Sequence, residues 1–159
     1  MKAPQPTREH EWLQQLVGEW TYEMTAAGSP AGSAEIRGGE SVRSIGGLWV
    51  MLEGHGSMPD GSPAVTIMTL GYDPEKQSFT GTFIGSMMTY LWTYRGSLDS
   101  SGKVLTLDTE GPSMAGDGKI CKYKDIVEIV DADTRLLRSR MLGDDGQWQE
   151  FMQATYRRK

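Results

Sequence analysis

From Glu19 to Thr25 the chain alternates: Trp20, Tyr22 and Met24 share one parity, while Glu19, Thr21, Glu23 and Thr25 share the other. A period of two marks a half-buried strand. Just before it the period is longer. Trp12, Leu13, Leu16 and Val17 recur at spacings that gather them on one helical face, with Thr7 placed to cap the start and Gly18 to end the run. The pattern predicts a short amphipathic helix over about 7–17 and a strand that opens at the Gly18-Glu19-Trp20 joint.

Beyond this joint one plan repeats, a short alternating segment followed by Gly, Pro, Asp or Ser, which predicts an antiparallel meander. Strands are expected near 19–27, 33–44, 48–56, 64–73, 77–86, 87–97, 103–111, 119–131, 134–142 and 147–158. Turn chemistry separates them in "GSPAG" (28–32), "MPDGS" (58–62), "DPEK" (73–76), "DSSG" (99–102), "DADT" (131–134) and "GDDG" (143–146). No helical period follows Val17, so parallel strands would have no crossover helices and a βαβ fold is excluded. Left open, such a sheet would expose two edges, and closure removes them. The expected fold class is therefore all-β: an antiparallel up-and-down meander barrel of about ten strands, with one short N-terminal helix. It forms a single domain over 1–159, with the barrel over about 19–158. Barrels of this size can hold one small ligand. Gly38-Gly39, Gly81 and Gly85 are expected at bulges or sharp bends.

Composition narrows the function classes. A length of 159 residues suits one core, and a net charge of −5 with a pI near 5.0 excludes a phosphate-tracking surface, so no nucleic-acid partner is expected. The sole basic cluster is Arg157-Arg158-Lys159. No apolar run is long enough to span a bilayer or to act as a signal peptide, so the chain as given reads as cytoplasmic. The lone Cys121 excludes an internal disulfide and any multi-cysteine metal site. Ten methionines suit either an adaptable ligand wall or simple core filling.

Gly18-Glu19-Trp20, placed after a short helix, resembles the joint of the lipocalin and fatty-acid-binding-protein (calycin) group. That resemblance implies that Trp20 plugs one barrel end and that Arg157 or Arg158, on the last strand, lies across it. A longer match is more specific. "HEWLQQLVGEW" at 10–20, "IGGLWV" at 45–50, "MPDGSP" at 58–63, "LGYDPEKQSFTGTFIGSMMT" at 70–89 and "GKVLTL" at 102–107 together resemble the bacterial family called domain of unknown function 1579. The resemblance implies a barrel and leaves activity open. The family often carries an acidic residue where this chain has Gly85, so no carboxylate role transfers there. His10 corresponds to a histidine in the family's helix, and packing of the helix over a barrel end accounts for it as well as chemistry does.

Several residues could carry chemistry. In segment 33–44, Ala34, Ile36 and Val42 share a face with Glu40, an inner carboxylate that must be paired or hydrated unless a bulge at Gly38-Gly39 returns it to solvent. In "LWVMLEGHG", Trp49, Met51, Glu53 and His55 share one parity and Leu48, Val50 and Leu52 the other, which leaves the inner face undecided. With the Trp49 face inward, Glu53 and His55 would form a general base and its orienter near one mouth; otherwise His55 is a rim histidine. In "MMTYLWTYRG", Met88, Tyr90, Trp92 and Tyr94 form a stripe of large side chains suited to a ligand wall or to a core. On the ninth strand Arg138 and Arg140 share parity with Leu136 and Leu142, and on the tenth Glu150 shares parity with Trp148, Met152, Ala154 and Tyr156. An inner arginine would offer a carboxylate anchor, with Glu150 as its rival partner. His10 and His55 lie far apart and make no metal signature, and no phosphate loop or catalytic triad motif occurs, so no cofactor or metal is expected.

Three readings follow. The leading one is a binding barrel for a small apolar or amphipathic molecule. It is walled by Met88, Tyr90, Trp92 and Tyr94 and anchored by Arg138 or Arg140 with Glu150 nearby. The second is a barrel enzyme, an isomerase or hydrolase using Glu40 or Glu53 with His55. The third is a solid-core interaction module, such as a homodimer. An interior smaller than about 300 Å³ would favour the third.

Overall fold

The computed structural model describes residues 1–26 and 36–159. Among these are one helix, α1 (Arg8–Gln14), and ten strands. The strands are β1 (Gly18–Ala26), β2 (Ile36–Ile45), β3 (Trp49–Ser57), β4 (Pro63–Asp73), β5 (Ser78–Gly85), β6 (Trp92–Leu98), β7 (Val104–Pro112), β8 (Ile120–Asp131), β9 (Thr134–Leu142) and β10 (Trp148–Arg158). Every strand pairs antiparallel with its sequence neighbours, and β10 returns to β1, so the sheet closes into an up-and-down barrel. The ends of expected strands 19–27 and 33–44, with Ala34 and the "GSPAG" turn, lie outside the described residues.

Alternation builds the core. Val42, Val50, Leu52, Met68, Leu70, Leu105, Leu107 and Ala154 point inward from their strands and are buried. The helix is shorter than its hydrophobic pattern suggests. After Gln14 the chain tightens, with the Leu16 and Val17 N–H groups donating to the carbonyls of Leu13 and Gln14, both at 3.1 Å. Leu13 and Leu16 are fully buried against the barrel end, contributing about 1.5–3 kcal/mol each. His10 fastens the same helix. Its Nδ1 accepts from the Thr7 backbone N–H at 2.9 Å, which leaves Nε2 to donate to the Tyr72 carbonyl at 3.0 Å.

Trp20 seals this end beneath α1. It is 2% exposed, its indole N–H donates to the Leu16 carbonyl at 2.9 Å, and the guanidinium of Arg158 lies 4.2 Å from the ring centre. Arg158 also donates to the carbonyls of Val17 (2.7 Å), Gln15 (2.9 Å) and Ala132 (3.1 Å), tying helix exit and β8–β9 turn together. Gly18 is required here twice over: its φ is +136°, and a Cβ would sit 2.4 Å from Arg158 Nη1. Of the two basic residues on the last strand, Arg158 lies across Trp20, whereas Arg157 stands outside against Glu23 at 3.8 Å.

Two local expectations are corrected. Gly38-Gly39 is not a bulge: β2 keeps continuous register with β1 and β3, so Glu40 stays inward. The register breaks instead at Glu150/Met152 in β10 and at Ile129/Asp131 in β8. The expected strand 87–97 starts only at Trp92, because Ser86 ties back to Val65 through both its N–H (2.8 Å) and its hydroxyl (3.0 Å) and turns the chain.

Candidate functional site

The barrel encloses a cavity of about 420 Å³, above the size at which a solid-core reading would hold. Its wall is mostly apolar and rich in methionine: seven of the chain's ten line it. Met24, Met68 and Met152 lie on strands. Met58, Met87, Met88 and Met114 come from the β3–β4, β5–β6 and β7–β8 connections, at the end opposite α1, and ring the mouth. Trp92, Tyr123 and Phe151 add an aromatic wall, with Trp92 and Tyr123 edge to face at 5.1 Å and Tyr123 and Phe151 at 6.0 Å. Trp92 needs Gly111 beneath it, since a Cβ there would lie 2.1 Å from the indole.

The stripe 88–94 is split where β6 begins, at Trp92. Trp92 and Tyr94 point inward from β6, and Met88 reaches the cavity from the preceding connection. Tyr90 does not: it is exposed, donates its hydroxyl to the Glu110 carbonyl at 3.0 Å and leans on Trp92 from outside the cavity wall.

Arg138, Arg140 and Glu150 stand on the outer face. Arg138 pairs with Glu128 at 3.4 Å, and Glu150 lies 4.0 Å from Arg138 and 3.5 Å from Arg140. Two physical facts displace them. Apolar residues occupy both faces of β9, and Arg135, Leu136, Leu137 and Ser139 of that strand line the cavity whereas Arg138 and Arg140 do not. On β10 the break at Glu150/Met152 lets Phe151 and Met152 both reach the cavity, which leaves Glu150 outside. Glu53 and His55 are likewise outside. They hydrogen-bond each other at 2.8 Å on the exposed face of β3, because Val50, Leu52 and Gly54 take the inner face.

Glu40 faces inward and meets an arginine that sequence reasoning missed. Arg135 is 3% exposed; it donates to Glu40 and lies 4.0 Å from the Tyr156 ring centre and 4.6 Å from that of Trp20. Burial pushes the Glu40 carboxyl up, with the Arg135 charge and hydrogen bond pulling it back. This pair sits just inside the sealed end, since Glu40 is the register partner of Trp20.

A second polar group lies midway along the wall, on four consecutive strands. Asp125 of β8 accepts from the Tyr94 hydroxyl of β6 at 2.5 Å and from the Ser139 hydroxyl of β9 at 2.6 Å. Between them β7 supplies Thr109, 8% exposed, whose hydroxyl oxygen has no hydrogen-bond partner among the described residues. Burial raises the Asp125 carboxyl above its ordinary range, against the two hydroxyl bonds that lower it, and burial together with the Asp125 charge drives Tyr94 well up. The signal for these residues was present in the sequence. Lys122 and Lys124 alternate with Tyr123, Asp125 and Val127, and Asp108 and Glu110 alternate with Leu107 and Thr109.

Among the described residues no three His, Cys, Asp or Glu side chains are grouped to hold a metal ion, and no helix is long and apolar enough to cross a membrane. Solved structures share the fold at low identity. An S-type phycobiliprotein lyase from Guillardia theta aligns with a TM-score of 0.59 and 11% identity, over 95% of this chain and 92% of that one. A de novo designed fluorescence-activating β-barrel aligns with a TM-score of 0.51 and 13% identity, over 94% and 98%. No curated protein matches the chain significantly. The family model described as protein of unknown function (DUF1579) matches residues 5–158, nearly end to end, and the chain belongs to that family.

Proposed function

We propose that the protein is a calycin-like binding protein that takes a small apolar or amphipathic molecule into the barrel interior. The observation that carries this reading is the methionine- and aromatic-walled cavity of about 420 Å³, which falls within the usual range for ligand pockets. A water-filled interior would leave this apolar wall wetted, and an apolar ligand relieves that at about 25 cal/mol per Å² covered. Thioethers on flexible stems adapt to the shape of what enters. The sealed end, held by α1 and Trp20, leaves the methionine-ringed mouth as the route of entry. No nucleic acid is part of this reading, which sets the protein in the cytoplasm and allows a homodimer.

Catalysis through Glu53 and His55 has no support from their positions, since both lie on the outer face, away from the cavity. Titration of the purified protein with a fluorescent fatty-acid analogue and a small-metabolite panel tests the reading. Saturable binding with a rise in melting temperature is expected. Absence of both across the whole panel would overturn it.

A further inference from the structure

The described cavity wall carries three charged side chains, Glu40, Asp125 and Arg135. Glu40 and Arg135 neutralise each other's charge at the sealed end. Asp125 is different. Its two contacts are neutral hydroxyls, from Tyr94 and Ser139, and no cationic group reaches it among the described residues. A buried carboxylate without a counter-charge is costly, and a ligand bearing a positive charge removes that cost.

The surroundings of Asp125 point the same way. Asp125 pairs in register with Ser139 and, on the other side, with Leu107, two residues before Thr109. Arg95 pairs with Asp108, so Tyr94 and Thr109 are the next positions on β6 and β7. Tyr94, Thr109, Asp125 and Ser139 thus form one continuous patch, and the Thr109 oxygen in it is buried and unpartnered. An ammonium group has several N–H donors and no acceptor, which suits a carboxylate beside a spare hydroxyl oxygen. Trp92, Tyr123 and Phe151 set aromatic rings beside the patch, and such rings favour cations. A carboxylate ligand would have to share the inward arginine with Glu40, which already neutralises its charge and leaves Nε as its unpartnered donor among the described residues.

We propose that the patch of Tyr94, Thr109, Asp125 and Ser139 receives the ammonium group of an amine ligand whose apolar body fills the methionine-lined cavity. This rests on the cavity-binding reading above. Support comes from burial, which raises the Asp125 carboxyl and which a bound cation would counteract.

Calorimetric titration with octylamine, octanol and octanoate, equal in chain and different in head group, tests it at neutral pH. Octylamine is expected to bind about tenfold or more tighter than octanol, the gain of one charge-assisted hydrogen-bond site, with octanoate the weakest. Asp125→Asn should erase the amine's advantage over octanol, and Thr109→Val should weaken the amine more than octanol. Equal binding of amine and alcohol, tighter binding of octanoate, or an Asp125→Asn protein that still prefers the amine would overturn the proposal. In those cases the cavity-binding reading survives. If Asp125→Asn fails to fold, the wild-type order of affinities and Thr109→Val decide. Failure of all three probes and of the fatty-acid analogue would sink both readings together.

Discussion

The sealed end of the barrel and its middle wall use similar residues to opposite ends. Beneath α1, Trp20, Arg135, Arg158 and Glu40 hold one another: the indole N–H has a carbonyl, Arg158 has three, and the two buried charges meet directly. Midway down, among the described residues, Asp125 has hydroxyls but no counter-charge, and the Thr109 hydroxyl oxygen has no hydrogen-bond partner. Direct charge pairing makes a rigid plug, although Arg135 Nε in it has no hydrogen-bond partner among the described residues. Partial satisfaction in a roomy cavity leaves valences for a visitor, and the difference separates residues kept for stability from those available for binding.

The largest effect expected from this contrast is at the plug. Trp20→Ala removes a fully buried ring, its hydrogen bond and the surface two guanidinium groups lie on, and should destabilise by about 5 kcal/mol. Thermal or denaturant unfolding measures it. A protein that melts normally but loses ligand would assign the plug to the binding site and erase the distinction.

Arg135→Met should follow, at about 3–5 kcal/mol, because it strands Glu40 in the interior. Combining it with Glu40→Met should recover much of the loss, as a double-mutant cycle in denaturant would show. Trp92→Ala belongs to the other region. With Trp92 only partly buried, a loss of about 2 kcal/mol is expected, together with about tenfold weaker ligand binding. A stability loss as large as that of Trp20→Ala would make Trp92 part of the scaffold.

The pH dependence separates the regions more finely. Asp125 is raised in the folded state. Between its unfolded value near 4 and the raised folded one, the native protein holds a proton that the unfolded chain has released, so stability falls as pH rises through that window. Asp125→Asn should flatten this slope, and the part that persists belongs to Glu40, raised in the same direction. Smallest of all is Glu53→Gln on the exposed outer face, where less than about 0.5 kcal/mol is expected from the lost pair with His55.

The architecture was legible because one face of nearly every strand is buried and the other wet, so the period of two survives in the sequence from Trp20 to Tyr156. The joint was legible because only a glycine fits where Gly18 turns. The site was harder to read, for local reasons. Leu136 and Leu137 give β9 an apolar residue on each face, so parity could not choose between Arg135 and Arg138. The register break beside Phe151 moved Glu150 outward with no glycine or proline to announce it. The turn at Ser86 depends on bonds to Val65, a residue on another strand, which no local pattern encodes. Asp125 and Thr109 had the right parity all along, and only their value as ligand groups depended on the closed interior.

The seam between β1 and β10 carries a kinetic consequence. It joins residues such as Thr21 and Arg157, 136 positions apart along the chain. Neither the plug nor the cavity can be completed until the last strand has been synthesised and has found the first. The intervening hairpins can zip one after another, but each intermediate keeps two unpaired edges exposed. Folding is therefore expected in the slow, millisecond-to-second range of proteins dominated by distant contacts. The step in which the chain's two ends meet sets the period of greatest exposure to aggregation.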